Sequence, residues 1–401
     1  MLQGVFKLKG VVQHYSWGGF DFIPRLLGIE NKEHKPFAEY WLGDHPNYSA
    51  ILENDSVTSL ATLLNKDPVT ILGEAVAIKF SSLPYLLKLL DVRQMLSIQV
   101  HPEKNSAMSG FEEENKKGIP VNAPHRNYKD RNHKPELLVA LSDFWLLHGF
   151  KKEEVLKEKL ASINELRFLN EVFETKGYKA LYEKVMLMDQ ETVNKILDPL
   201  LKRIIPLYQN NQLQKSREDF WAARAALDFC KDNNYDRGIF SIYLFNLLQL
   251  KKGEGIFQPA GLPHAYLEGQ NVEIMANSDN VLRAGLTDKH IDVPELMKHV
   301  HFEATLPNIL RPQSSKHIVY ASPAEEFELH QYQFEVGETE TILTETAETW
   351  LVTEGSLKIK NEDLQLNKGE ALFIIAGTKV DLHSVQPSTM FRVTVPVISK
   401  N

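Results

Sequence analysis

Gly253 to His290 reads GEGIFQPAGLPHAYLEGQNVEIMANSDNVLRAGLTDKH. Within it His264 is followed nine residues on by the carboxylate of Glu273, and then by Arg283 and Lys289. The Pro, Gly and Asn residues around these groups predict turns rather than one long helix, so the polar side chains fall on short strands and their loops. Taken singly, each of them serves packing as readily as chemistry. Partners elsewhere in the chain decide between the two.

Part of the stretch is repeated. Gly253, Glu254, Phe257, Ala260 and Gly261 align with Gly369, Glu370, Phe373, Ala376 and Gly377 as G-E-x-x-F-x-x-A-G, with Ile256 or Leu372 before the Phe. A turn, a buried strand and a second turn account for these letters, and two copies predict two related β-barrels. Three residues past the second Gly the first copy has His264 and the second Val380. Polar chemistry therefore belongs to the first barrel, and the second reads as its structural companion.

Outward from this stretch the texture alternates between β and α. Residues 1–51 are strand-like and turn-rich, and their His14, Trp17 and Glu39 serve either packing or a pocket. Thr58 to Asn65 reads as a short helix opened by Ser56 or Thr58. Lys151 to Asn234 is charge-rich, with apolar residues at helical spacing such as Val155, Leu156, Leu160 and Ile163, which predicts an all-helical insert. Strand texture returns with GIFSIYLFNLLQL from Gly238, and Ile291 to His301 predicts a helix begun at Asp292 or Val293 with Pro294 in its first turn. After Pro307 short alternating strands suggest a sandwich or jelly roll.

The segment MLSIQVHP puts Ser97, Gln99 and His101 on one strand face and Ile98 and Val100 on the other. That polar row either faces solvent or needs partners, because an unpaired buried polar group costs roughly 2–7 kcal/mol. Lys134 and Glu136 precede the apolar run LLVALSDFWLL, so Glu136 enters a strand from its polar end. Together Gln99, His101, Glu136 and His264 form a nitrogen and oxygen donor set suited to zinc or another divalent first-row metal.

Composition narrows the classes. At 401 residues the chain exceeds one simple core, and 43% hydrophobic with 24% charged residues is ordinary for a globular protein. A net charge of -8 argues against nucleic acid or an anionic membrane as partner. Lys7 and Lys9 interrupt any signal-like apolar run, the longest uncharged apolar run is too short to span a bilayer, and the single Cys230 excludes an internal disulfide. A cytoplasmic location is expected.

Four motifs carry a resemblance: AEYWLGDHP (Ala38 to Pro46), QVHPEK (Gln99 to Lys104), RNYKDRNHKPEL (Arg126 to Leu137) and PHAYLEGQNVEIMANSDNVLRAGLTDKHIDVPEL (Pro263 to Leu296). They closely resemble the type I mannose-6-phosphate isomerase family, also called phosphomannose isomerase, and the similarity extends along nearly the whole chain. The resemblance implies a mainly β fold of two cupin (jelly-roll) barrels plus an all-helical domain. It implies one zinc per chain and the interconversion of the phosphosugars mannose 6-phosphate and fructose 6-phosphate through an enediol; a monomer is expected. It places the metal on Gln99, His101, Glu136 and His264, catalytic roles on Arg283, Glu273, Lys134 and Asp279, and substrate contacts on Ser97, Lys88 and Lys289. Asp288 stands where a proline is common in the family, while Tyr40 and Asp44 occupy variable positions. The expected division is a discontinuous catalytic cupin unit of residues 1–150 and 235–310, a helical insert of 151–234 and a degenerate cupin unit of 311–401. Two other readings of such a site are a non-haem iron oxygenase, against which stand the fourth ligand Gln99 and the cations Arg283 and Lys289, and a non-enzymatic sugar-phosphate sensor, against which stand the lack of a DNA-reading segment and the retention of every matched catalytic position.

Overall fold

The two copies of the repeat share their backbone conformation at a constant offset. Gly253 and Gly369 have φ of 87° and 85°, Gly261 and Gly377 have 77° and 76°, and between them lie the strands Gly255–Gln258 and Ala371–Ile374. All four glycines occupy the left-handed region that side chains disfavour, which explains why the same letters recur at both turns. In the computed structural model, which describes residues 4–53, 57–312, 315–360, 362 and 364–396, each copy anchors a different sheet.

One sheet has eleven strands. Its path runs Phe245–Leu250, Phe144–Phe150, His264–Ala276, Tyr85–Val92, Glu39–His45 and Val11–Gln13, with Glu136–Ala140 and Gly255–Gln258 paired alongside. The other has ten strands and gathers the C-terminal segments from His317 to Thr394. It also recruits Val5–Lys9, whose Val5 to Leu8 lie opposite Ile374 to Ala371, and beyond it Ile51–Glu53 and Val57–Ser59, so segments from the start of the chain extend the C-terminal sheet. The named strand pairs are antiparallel.

The sheets share one core. Leu42, Leu87, Leu89, Leu137, Val272 and Ile274 of the first meet Leu8, Leu351, Phe373, Phe391 and Val393 of the second, all buried. This explains the run YLLKLLDV at Tyr85–Val92, buried at every position. Its Leu87 and Leu89 face the other sheet, while Leu86, Lys88 and Leu90 face the interior of their own. Inside the second barrel Val380 is wholly buried among Ile342, Trp350, Leu372 and Leu382, so apolar side chains fill the place where the first barrel holds His264.

Helices Glu153–Ser162, Arg167–Met186, Gln190–Gln209 and Glu218–Phe229 pack on the outer face of the first barrel, through a core shared with Leu147, Phe150, Ala265 and Leu267. Their stripe is Leu156 and Leu160, both fully buried; Val155, read as part of it, is 48% exposed. The run from Gly238 is a correction to the strand expected there. Gly238–Leu244 is a helix with every residue buried, and the strand begins only at Phe245. A helix buried all round has no polar face, so its periodicity is invisible.

The short helix Leu60–Leu64 starts later than expected, on Ser59, whose Oγ accepts the Thr62 N–H at 3.1 Å; Ser56 lies outside the described residues. Val293–His299 forms as expected, with Asp292 accepting the Glu295 N–H at 3.0 Å. Among the described residues no helix is long and apolar enough to cross a membrane.

Replacing Val380 with His would place an imidazole with no polar neighbour in this filled interior. The expected loss is about 1–3 kcal/mol in chemical denaturation, with metal analysis still giving one ion per chain; a second ion would contradict the apolar reading of this barrel.

Candidate active site

Three strands bring the donor set together. Glu136 and His264 are the first residues of their strands, and Gln99 lies directly opposite His264 in the pairing of Gln99–Val100 with His264–Ala276. His101, one residue beyond its strand, is fully buried. The side chains of His101, Glu136 and His264 converge, with their ligand atoms within 4.8 Å of one another. His101 Nε2 is 3.4 Å from Glu136 Oε1, and His264 Nε2 is 3.3 Å from Glu136 Oε2.

The hydrogen bonds on the far side of each ring fix what these nitrogens can do. His101 Nδ1–H donates to the Asn280 carbonyl at 2.7 Å, and His264 Nδ1–H donates to the Leu262 carbonyl at 2.9 Å. In a neutral imidazole that leaves Nε2 as a bare lone pair. Burial, only partly opposed by Glu136, pushes His101 down to about 4, so the ring is neutral at physiological pH. Its Nε2 is buried and has no hydrogen-bond partner among the described residues. Two lone pairs and an ionised carboxylate pointed at one spot repel each other unless a cation lies between them, and imidazoles oriented through the opposite nitrogen are the usual arrangement of metal ligands. The residues fit a divalent metal. Gln99 borders the same small cavity of about 60 Å³, beside Glu136, His264 and Tyr266.

Around this centre lies a layer of buried charge. Lys134 Nζ is 3.0 Å from Glu136 Oε1; burial opposes its charge, but Glu136 and Glu273 outweigh that and hold the ammonium above its usual range. Burial likewise opposes ionisation of Glu136, and Lys134 and His101 override it, keeping the carboxyl well below the usual range. Glu273 goes the other way. Burial and the Glu136 charge push it up to about 7, against the pull of Lys88 and Lys134. The Tyr266 hydroxyl donates to Glu273 at 2.7 Å and lies 3.4 Å from Glu136, so one phenol joins the donor set to the neighbouring carboxylate.

Arg283 sits opposite Gln99 in the pairing of Leu282–Arg283 with Gln99–Val100. It lines a cavity of about 550 Å³ with Ser97, Gln99, Lys129, Lys134, Asp279 and Lys289. Among the described residues Arg283, Lys129 and Lys289 make no close ion pair, and burial together with Arg283 and Lys129 lowers Lys289 against the pull of the neighbouring Asp288. Three unpaired cations at one mouth make an anion site. Asp279 borders the same cavity, its Oδ2 3.2 Å from His45 Nε2. The loop of Lys289 is tied to the end of the helical segment by Asp288, 3.2 Å from Lys231, and Asp228, Phe229 and Lys231 complete this wall.

Two residues have other surroundings than expected. Lys88 is inside the barrel, 3.2 Å from Glu39 and 4.5 Å from the Trp41 ring, opposite Glu273 in the sheet, and it borders the small cavity of the donor set with Gln99, Glu136 and His264 rather than the cavity of Lys289. His14 is exposed and its Nδ1–H donates to the Pro36 carbonyl at 2.7 Å, while Trp17 and Glu39 do line the large cavity. Tyr266, Lys129 and His45 escaped the sequence reading. Tyr266 alone left a signal, since it shares a strand face with His264 two residues away.

A two-sheet antiparallel fold with a buried nitrogen and oxygen donor set defines a metal-binding protein of the cupin class. The chain belongs to the type I phosphomannose isomerase family. Residues 5–153 match the phosphomannose isomerase type I catalytic domain. The mannose-6-phosphate isomerase of Escherichia coli (strain K12) is 36% identical over 385 residues, covering 92% of this chain and 95% of that protein. That of Bos taurus is 32% identical, covering 97% and 98%. The crystal structure of the Salmonella typhimurium enzyme bound to substrate (fructose 6-phosphate) and zinc is 34% identical, covers 98% of this chain and 100% of its own, and gives a TM-score of 0.87.

Because the Glu136 charge contributes to raising Glu273, a cation in the donor set should undo part of the shift. Infrared spectra of metal-stripped protein are expected to show a carboxylic acid band, absent in Glu273→Gln, that titrates near the elevated value of about 7 and moves to lower pH when zinc is added. A band indifferent to zinc would separate Glu273 from the metal.

Proposed function

We propose that this chain is a zinc-dependent aldose–ketose isomerase that interconverts mannose 6-phosphate and fructose 6-phosphate through an enediol. The observation that carries the reading is the convergence of the His101 and His264 Nε2 lone pairs on Glu136, in a chain whose relatives are named for that activity. Gln99, His101, Glu136 and His264 would hold the zinc, which when bound supplies Lewis acidity to a sugar oxygen.

The remaining steps belong to the protein's own groups. The carboxylate of Glu273 removes the proton on carbon 2 of the open-chain aldose, the electron pair forms the double bond between carbons 1 and 2, and the carbonyl oxygen takes up the charge. Arg283 stabilises that developing oxyanion, with Lys134 adding positive charge from the other side. The hydroxyl proton at carbon 2 passes to the oxygen on carbon 1, and Glu273 returns its own proton to carbon 1, which gives the neutral ketose and leaves Glu273 ionised again. A carboxyl raised to about 7 by burial suits this task, being basic enough to take a carbon-bound proton and ionised often enough to act. Lys289, with Lys129 and Ser97 beside it, receives the phosphate, and that contact fixes the reacting end in place. Lys88 supports the charge of Glu273 from across the sheet instead of reaching the phosphate.

We further propose that the chain works as a cytoplasmic monomer on free phosphosugars, without nucleic-acid or membrane partners, in keeping with its net charge of -8 and single cysteine. Its working units would be a discontinuous catalytic cupin of residues 1–150 and 235–310, which lends Val5–Lys9 to the other sheet, a helical insert of 151–234 and a degenerate cupin of 311–401.

Incubated with mannose 6-phosphate, the metal-loaded protein is expected to release fructose 6-phosphate, and a chelator should stop it. In deuterated water Glu273→Gln should lose exchange at carbon 2, with kcat down at least about a hundredfold, while still binding zinc. Retained exchange would remove Glu273 as the base.

A further inference from the structure

The strand Glu39–His45 belongs to a conspicuous sequence motif to which the chemistry above assigns nothing. Its residues Glu39, Trp41 and His45 are all buried. Trp41 connects them: its Nε1–H donates to Glu39, one face lies 4.5 Å from Lys88, and the His45 ring meets it edge-on at 4.8 Å. At the end of this row His45 Nδ1 accepts the Asn47 N–H at 3.2 Å. With Nδ1 occupied as an acceptor, the ring proton must sit on Nε2, and Nε2 is 3.2 Å from Asp279 Oδ2. His45 is thus a donor with its tautomer set by the backbone.

Asp279 is pinned twice. Its backbone N–H donates to Asp130 at 2.7 Å and its Oδ2 takes the His45 proton. Its other oxygen has no hydrogen-bond partner among the described residues, and the side chain is 35% exposed at the cavity that holds Gln99, Arg283 and Lys289. His45 itself is 3% exposed and borders a second cavity of about 450 Å³, which Asp279 lines as well. The pair therefore stands between the two spaces, and Asp279, which borders both, keeps one carboxylate oxygen without a hydrogen-bond partner among the described residues.

We propose that His45 is a positioning residue for the isomerisation: its Nε2–H turns Asp279 so that the free oxygen accepts a hydrogen bond from a sugar hydroxyl. The inference rests on the isomerase reading given above. It accounts for a buried histidine that is remote from the donor set, and for the Trp41 packing and Asn47 contact that hold its ring. A donor aimed at one carboxylate oxygen costs no reorganisation when substrate arrives.

The test uses full-length zinc-loaded protein. His45→Gln carries a side-chain amide whose nitrogen lies near the position of the imidazole Nε2; His45→Asn is too short and His45→Leu has no donor. The Leu and Asn variants are expected to lose about ten- to a hundredfold in kcat/KM for mannose 6-phosphate, the range for one hydrogen bond to a charged group, with one zinc per chain retained. His45→Gln should recover most of the loss. In an Asp279→Asn background the His45→Leu change should add little, since its partner is already altered. Equal losses in His45→Gln and His45→Asn, or independent multiplication with Asp279→Asn, would overturn the proposal. Nitrogen-15 spectra of the histidines give a readout apart from activity: an Nε2–H tautomer for His45 is expected, and an Nδ1–H tautomer would overturn the pairing. A wild-type protein inactive on mannose 6-phosphate would instead overturn the isomerase reading.

Discussion

Two imidazole lone pairs and a carboxylate are buried against each other with no proton to share, and the rest of the first barrel is arranged around that repulsion. Each ring is turned by a backbone carbonyl, His101 by Asn280 and His264 by Leu262, so the orientation comes from main chain that cannot rotate away. A set of donors held this rigidly gains most from a cation of fixed radius and loses most without one. Gln99, placed opposite His264 by strand pairing, extends the set without adding charge.

The surrounding charges follow from the same burial. Glu136 stays ionised because Lys134 reaches it, and its charge in turn raises Glu273, linked to it through Tyr266. Lys88 then answers Glu273 and is itself held by Glu39 and Trp41. Opposite shifts in neighbouring carboxyls keep one ionised beside the imidazoles and leave the other able to exchange a proton near neutral pH. At the mouth the pattern reverses: among the described residues Arg283, Lys129 and Lys289 make no close ion pair and remain available to an anion.

Both barrels use the same turn, strand and turn, and they differ in what occupies the space beyond. Val380 and its neighbours fill the second barrel with apolar side chains, and that filled barrel supplies a stiff surface against which Leu87, Leu89 and Val272 of the first can pack. A densely packed interior has few alternative arrangements, so the donor set inherits its precision from the apolar barrel beside it.

The residue types and spacings determined a good deal alone. Alternation placed Gln99 and His101 on one face, the glycine pattern announced two copies of one β unit, and the difference between His264 and Val380 told which copy is polar. Local signals also marked the helix at Val293–His299 through Asp292 and Pro294. They failed where burial is complete: the helix Gly238–Leu244 has no polar face to betray its period. Long-range pairing lay beyond them too. That Val5–Lys9 joins the C-terminal sheet, that Lys88 lies against Glu39, and that His45 meets Asp279 from a distant part of the chain depend on which strands become neighbours, a matter of global packing that short-range periodicity does not encode. Sequence alone singled out candidate side chains for the chemistry; the tertiary structure decided what each one faces, because the pKa and the free lone pair of a buried group are properties of its neighbours.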